Sequence, residues 1–253
     1  MNGHAIGEAS LRDRHQRARL VFSSVPETIY AIGDVHGCME ALLRLERKIV
    51  EDAAPRAGAR LLVYLGDYVD RGPSSAQVLD HLIAPPPAGF ERVCIAGNHD
   101  EMFLDFVTGE GRNDAFLEKG GRQALASYGI DCEGRSKTEL SAAMRARIPA
   151  GHINFIADLP SLLSVGNYCF VHAGLDPSLP FEDQTDRVLM WSRPGDFPWP
   201  ESGPGFTVVH GHTPVERVDL SASRINVDTG AVLTGTLSAL RISASGLSVL
   251  TSD

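Results

Sequence analysis

Short apolar runs in the first hundred residues each end abruptly in glycine and polar side chains. The pattern predicts strands over 28–32, 60–65 and 92–96, with apolar residues at helical spacing between them over 39–52 and 74–83. Strand and helix in alternation are typical of an α/β sheet with parallel strands. Sites in such sheets lie at the carboxyl ends of strands, which is where these polar clusters fall.

The remainder of the chain divides into a helical and a β part. Residues 101–160 are predicted to be mostly helical, and Ser136 and Glu139 have the spacing of a capping box. After Pro160 the runs become short and are separated by turn signals. Strands are predicted over 162–165, 168–171, 207–209, 224–227, 238–242 and 247–250.

Length and composition indicate one globular domain. The 253 residues are 43% hydrophobic, and we expect a polar N-terminal extension over 1–25 followed by a single domain over 26–253. A net charge of −9 argues against binding to a nucleic-acid scaffold. No apolar run is long enough for a secretory signal or a membrane span. The four cysteines are well separated, and we therefore expect free thiols and a reducing, cytoplasmic compartment. The sequence does not indicate an oligomeric state.

The polar residues at the strand ends form a mixed set of oxygen and nitrogen ligands without a thiolate. Such a set suits Mn, Fe or Zn better than Mg or Ca, which prefer oxygen alone. Six candidates exceed the needs of one catalytic ion, but they suit two ions that share a carboxylate. The six are Asp34, His36, Asp67, Asn98, His172 and His212.

Five motifs containing these residues resemble a known family. In chain order they are GDVHG (33–37), GDYVDRG (66–72), GNHD (97–100), HAG (172–174) and GHTP (211–214). They are similar to the phosphoprotein phosphatase branch of the calcineurin-like metallophosphoesterases, which includes bacterial serine/threonine protein phosphatases and symmetrical diadenosine tetraphosphate hydrolases. The resemblance implies an α/β fold, a β-sandwich of two mixed sheets flanked by helices, with a dinuclear metal site at strand ends.

The resemblance also implies a role for each site residue. Asp34 and His36 match ligands of the first metal, and Asp67 matches the carboxylate that bridges both ions. The second ion would be held by Asn98, His172 and His212. Two divalent ions are expected, Mn²⁺ with Fe or Zn as alternatives, and the hydroxide bridging them would attack phosphorus directly.

The remaining roles implied by the resemblance concern the proton and the phosphate. His99 matches the acid that protonates the leaving oxygen, and Asp70 matches the carboxylate that orients it. Arg71, Asn98 and Arg193 match groups that bind the substrate phosphate. His210 lies two residues before His212 and, by strand alternation, on the same face, so the choice between them as ligand stays open here.

The substrate is less constrained than the reaction. Asp70-Arg71-Gly72 and His212-Thr213-Pro214 resemble the motifs of bacterial phosphoserine/phosphothreonine protein phosphatases, whereas Asp100 resembles the symmetrical bis(5'-nucleosyl)-tetraphosphate hydrolases. We expect an enzyme acting on a phosphorylated protein, with the dinucleotide or another small phosphate compound as the alternative substrate. A third hypothesis is a metal-binding regulatory protein without turnover.

Overall fold

A computed structural model describes residues 16–109, 115–200, 205–220 and 223–253. These residues form two five-stranded mixed sheets with helices outside them. The strands are β1 (Arg19–Phe22), β2 (Thr28–Ile32), β3 (Arg60–Tyr64), β4 (Phe90–Cys94), β5 (Leu162–Val165), β6 (Tyr168–Val171), β7 (Thr207–His210), β8 (Arg224–Asn226), β9 (Ser238–Ser243) and β10 (Gly246–Thr251). The predicted α/β sandwich of two mixed sheets is confirmed.

Eight α-helices occur among the described residues. They are α1 (Met39–Ala53), α2 (Ser75–Ile83), α3 (Asn98–Thr108), α4 (Arg122–Ser127), α5 (Lys137–Arg147), α6 (Ala150–Asp158), α7 (Asp186–Trp191) and α8 (Ala231–Thr234). A π-type turn over Leu117–Gly121 precedes α4, and a short 3₁₀ turn over Phe181–Asp183 precedes α7. The predicted capping box begins α5, where Ser136 and Glu139 cap each other's backbone. No helix in the described ranges combines the length and apolar character needed to cross a bilayer.

Strand direction brings the candidate residues to one end of the sandwich. One sheet is ordered β10-β9-β2-β3-β4, with β2, β3 and β4 parallel. The other is ordered β1-β5-β6-β7-β8, with β6, β7 and β8 parallel. The carboxyl ends of three parallel strands therefore share an edge in each sheet, and these edges meet, because a β-carbon at Gly66 would touch His172.

Successive side chains of a strand point to opposite faces of the sheet and so belong to two different hydrophobic clusters. Ile29 and Ala31 of β2 face the interior between the sheets, where they join Phe170 and other residues of the second sheet. Tyr30 and Ile32 point the opposite way and pack under the helices. This period of two is the geometry of a strand with both faces buried.

The predicted N-terminal boundary differs from the structure. Residues 1–15 of the predicted extension lie outside the described residues, but Arg19–Phe22 forms β1 and pairs in parallel with β5. The sheet therefore begins before residue 26. This four-residue edge strand escapes a search for apolar runs because its side chains stay partly exposed and Val21 is 72% exposed.

Asp52 joins α1 to both β2 and β9. It accepts hydrogen bonds from Tyr30 Oη at 2.6 Å and from Arg241 at 2.8 Å, and Arg56, which follows the end of α1, also donates to it. Burial opposes its ionisation, but the bonds from Tyr30 and Arg56 and the charge of Arg241 hold the pKa of Asp52 below its usual range. Its contribution to stability is therefore present above the unfolded-state pKa and is lost as pH falls through the folded-state pKa.

We expect Asp52→Asn to lower the free energy of unfolding by about 1 kcal/mol at pH 7, because a partly exposed carboxylate loses its charge-assisted bonds. The difference from the wild type should shrink as pH falls below about 4. Urea unfolding at pH 7 and pH 3 measures both values, and Glu51→Gln on the exposed side of the same helix is the control. An equal difference at the two pH values would show that the ionised Asp52 carboxylate does not stabilise the fold.

Candidate active site

The predicted site residues converge at the strand ends. Asp34 and His36 follow β2, Asp67 and Asp70 follow β3, and the first turn of α3 carries Asn98 and His99. His172 and His212 come from the ends of β6 and β7 in the other sheet. Three sets of potential metal ligands result, each with atoms within 4.8 Å of one another: Asp34, His36 and Asp67; Asp67, His172 and His212; and His36, Asp70 and His99.

The first set directs lone pairs toward a common point. His36 Nδ1 lies 3.0 Å from the carbonyl oxygen of Val69, so this nitrogen carries the proton. The other ring nitrogen, Nε2, faces Asp67 Oδ2 at 3.4 Å. Asp34 completes the set and is held in place by the backbone N–H of His212, which donates to its carboxylate at 3.0 Å.

The second set shows the same arrangement more tightly. His172 Nδ1 donates to the carbonyl oxygen of Leu65 at 2.8 Å, which leaves a lone pair on Nε2. That Nε2 lies 2.9 Å from Asn98 Oδ1, 3.2 Å from His212 Nδ1 and 3.4 Å from Asp67 Oδ2. Four side-chain nitrogen and oxygen atoms thus lie close enough together to ligate one ion. The donor atoms therefore fit a divalent ion with mixed nitrogen and oxygen ligands.

The carboxylates show the same need for positive charge. Burial, Asp228 and Asp67 together raise the pKa of Asp34 well above its usual range. Burial would also raise the pKa of Asp67, but the neighbouring His172, His99 and His36 hold it well below. Asp67 thus stays ionised at the point where the two sets meet. Divalent cations would relieve the repulsion among these buried acids.

Asp70, His99 and Arg71 form a chain beside the first set. Asp70 is fully buried and contacts His99 Nδ1 at 2.5 Å and His36 Nδ1 at 3.0 Å. With Nδ1 of His99 donating to Asp70, its Nε2 accepts from Arg71 Nη2 at 2.8 Å. A histidine oriented by a carboxylate and an arginine fork therefore lie at one spot. Arg193 is exposed. Burial and the neighbouring His172 lower the pKa of His212 to about 3, and the charge of Arg193 adds to this.

Backbone strain is concentrated at the site. All the non-glycine residues with positive φ in the described part of the chain are site residues or neighbours of one: His36, Asp67, Asp70, Arg71 and His212. Each such conformation costs of order 1–3 kcal/mol. Gly97 and Gly211 permit close approach, since a β-carbon there would collide with the carboxylates of Asp67 and Asp34 respectively. The structure tolerates this strain where it brings ligand atoms together.

His210 belongs to none of the three sets of potential metal ligands. Its Nδ1 donates to the carbonyl oxygen of Gly211 at 3.0 Å, and its Nε2 accepts from Arg224 Nε at 3.2 Å. Burial and the charge of Arg224 lower the pKa of His210 to about 3. Strand alternation fails here because β7 ends at His210 and the backbone turns at His212, where φ is 72°. His210 supports the loop, and His212 faces the other ligands.

Asp100 has a larger part in the site than its sequence position indicated. Its buried carboxylate accepts three backbone N–H groups, from Asp67 at 2.8 Å and from Tyr68 and Gly97 at 2.9 Å. These bonds connect the turn after β3 to the turn after β4, and so fix the backbone that carries Asp67. A carboxylate in the first turn of a helix is favoured whatever the fold, but the bonds to residues 67 and 68 depend on the tertiary structure.

The fold and the two ligand sets define a metallophosphoesterase. A family model described as calcineurin-like phosphoesterase matches residues 27–237, and the chain belongs to this family. The family uses divalent metals, and the clusters described above fit such a site.

The chain is similar in sequence or in fold to proteins that have been named. It is 26% identical over 231 residues to the asymmetrical bis(5'-nucleosyl)-tetraphosphatase PrpE of Anoxybacillus flavithermus, covering 83% of this chain and 88% of the relative. It is 33% identical over 150 residues to the symmetrical bis(5'-nucleosyl)-tetraphosphatase of Methylococcus capsulatus, covering 59% of this chain and 44% of the relative. The cold-active protein-tyrosine phosphatase of a Shewanella species shares the fold, with a TM-score of 0.62 at 17% identity and coverage of 94% and 83%.

We expect Asp100→Asn to weaken Mn²⁺ binding and to lower the free energy of unfolding by about 1–3 kcal/mol, because an amide NH₂ would face one of the three buried N–H donors. Metal titration and urea unfolding measure the two effects. Asp131→Asn is the matched control, since Asp131 accepts a single backbone N–H at an exposed turn. Unchanged Mn²⁺ affinity in Asp100→Asn would show that this carboxylate does not position the ligands.

Proposed function

We propose that the protein is a dinuclear metal-dependent phosphohydrolase whose preferred substrate is a bis(5'-nucleosyl) tetraphosphate. One observation carries the reaction class: side-chain atoms of Asp67, Asn98 and His212 lie within 3.4 Å of His172 Nε2, and this mixed nitrogen and oxygen set suits a divalent ion. On this proposal Asp34, His36 and Asp67 hold one ion, and Asp67 is shared with a second ion held by the other three residues.

The chain's own residues bind the phosphate and deliver a proton. Divalent ions at the two sets would supply Lewis acidity and an activated water. Arg71, Asn98 and Arg193 bind the phosphate oxygens, for which the planar guanidinium is well suited. In its doubly protonated form His99 would give the Nε2 proton to the leaving oxygen while Asp70 holds its Nδ1, and Arg71, which contacts that Nε2 here, would turn to the phosphate.

The relatives support a phosphoanhydride substrate over a phosphoprotein. The PrpE relative aligns along 88% of its length and is named an asymmetrical tetraphosphatase, and the shorter match is to a symmetrical one. Dephosphorylation of phosphoserine or phosphothreonine in proteins is the second candidate, and it rests on Asp70-Arg71-Gly72 and His212-Thr213-Pro214. Manganese as the native metal and a cytoplasmic location remain proposals, as does a single domain, which includes β1 and so begins before residue 26.

We expect His99→Asn to keep its bound metal and to lose about 10²–10⁴-fold in kcat on diadenosine tetraphosphate, as is typical when a general acid is removed. The loss should be smaller on p-nitrophenyl phosphate than on phenyl phosphate, because nitrophenolate leaves without protonation. Steady-state rates and metal analysis of the same preparation measure this. Wild-type rates, or equal losses on the two aryl esters, would remove His99 from the role of acid.

The substrate is tested by comparing kcat/KM for diadenosine tetraphosphate and for a phosphoserine peptide in one Mn²⁺-loaded preparation. We expect the dinucleotide to be preferred. Chromatography of the products distinguishes two molecules of ADP, from symmetrical cleavage, from AMP and ATP. Preference for the peptide would favour the second candidate function, dephosphorylation of proteins. If neither substrate nor an aryl phosphate is hydrolysed, a regulatory protein without activity would be favoured.

A further inference from the structure

A turn from the helical middle region rests against the phosphate-binding arginine. Within Leu117–Gly121, Lys119 and Gly120 leave helical dihedral angles, and Gly120 has a φ of 109°. The carbonyl oxygen of Gly120 accepts the backbone N–H of Arg71 at 3.2 Å, and a β-carbon at Gly120 would collide with Arg71. The turn is also anchored from inside, because Gly121 packs against the fully buried ring of Phe116.

This turn presents Lys119 at the rim of the site. The side chain is exposed, and its ammonium lies 5.9 Å from the centre of the Trp191 ring, within cation–π range. Trp191 is itself fixed, since its Nε1 donates to Glu101 Oε2 at 2.9 Å and it packs against the core. Glu101 is two residues after His99, and Trp191 is two residues before Arg193, so Lys119 lies between the segments that carry these groups.

We infer that Lys119 binds the part of a polyphosphate chain that extends beyond the phosphate being hydrolysed. The inference rests on the proposed function and names a residue that selects its substrate class. Arg71 points inward to His99 and therefore serves the reacting phosphate. Lys119 is next in sequence to Gly120, which contacts Arg71, and a chain of net charge −9 needs local cations to hold a long anion. A phosphomonoester has no second phosphate to reach this lysine.

Lys119→Met tests the inference because it removes the charge but keeps a long stem that can pack on Trp191. We expect kcat/KM for diadenosine tetraphosphate to fall about fivefold, mainly through KM, as for the loss of one exposed ion pair. The value for p-nitrophenyl phosphate should change less than about twofold, since no ion pair with Lys119 is lost there. Lys119→Arg should restore the dinucleotide value, and Lys48→Met on α1 is the matched charge control.

Direct binding provides a readout that does not need turnover. The chain has two tryptophans, so in a Trp199→Phe background the emission reports on Trp191 beneath the Lys119 ammonium. Titration with tripolyphosphate at a fixed concentration of free Mn²⁺ should give a Kd about fivefold higher in Lys119→Met. The Kd of orthophosphate should be unchanged.

The outcomes separate this inference from the proposed function. If the wild type does not hydrolyse diadenosine tetraphosphate but Lys119→Met still weakens tripolyphosphate binding, the proposed substrate fails and the role of Lys119 stands. Equal losses on dinucleotide and aryl ester, or an unchanged tripolyphosphate Kd, overturn the inference. A loss confined to an acidic phosphopeptide overturns it as well, because the lysine would then recognise a protein.

Discussion

The arrangement of the site depends on the buried carboxylate of Asp67. One oxygen accepts the backbone N–H of His99 at 2.9 Å, and the other lies 3.4 Å from both His36 Nε2 and His172 Nε2. These histidines come from different sheets, so a single carboxylate connects the two halves of the sandwich. Its ionisation in a buried position requires positive charge nearby, and this requirement links the fold to metal-dependent chemistry.

Holding Asp67 in this position has a conformational cost that the surrounding packing offsets. Its φ of 54° lies in the left-handed region, which residues other than glycine adopt at a cost in free energy. Asp100 fixes the adjacent backbone N–H groups, and the parallel strands β2, β3 and β4 keep the turns in register. Site geometry and fold stability are therefore coupled, and strain at the ligands is balanced by the buried sheets behind them.

Local pattern in the sequence predicted most of the fold, and tertiary contacts account for the rest. Strands β2, β5 and β6 have the predicted limits because alternation and turns bound them, whereas the strand predicted over 92–96 is Phe90–Cys94, since Phe90 pairs with Arg60. The motifs predicted residues that the fold brings together. The contacts of Asp100 with residue 67 and of Gly120 with Arg71 join segments more than thirty positions apart, which periodicity does not reveal.

Anomalous diffraction from crystals grown with Mn²⁺ tests the central claim most directly. The account predicts two manganese peaks separated by about 3.5–4 Å, one beside Asp34 and His36 and one beside His172 and His212, with Asp67 between them. A single peak, or two peaks that do not share Asp67, would contradict the dinuclear site.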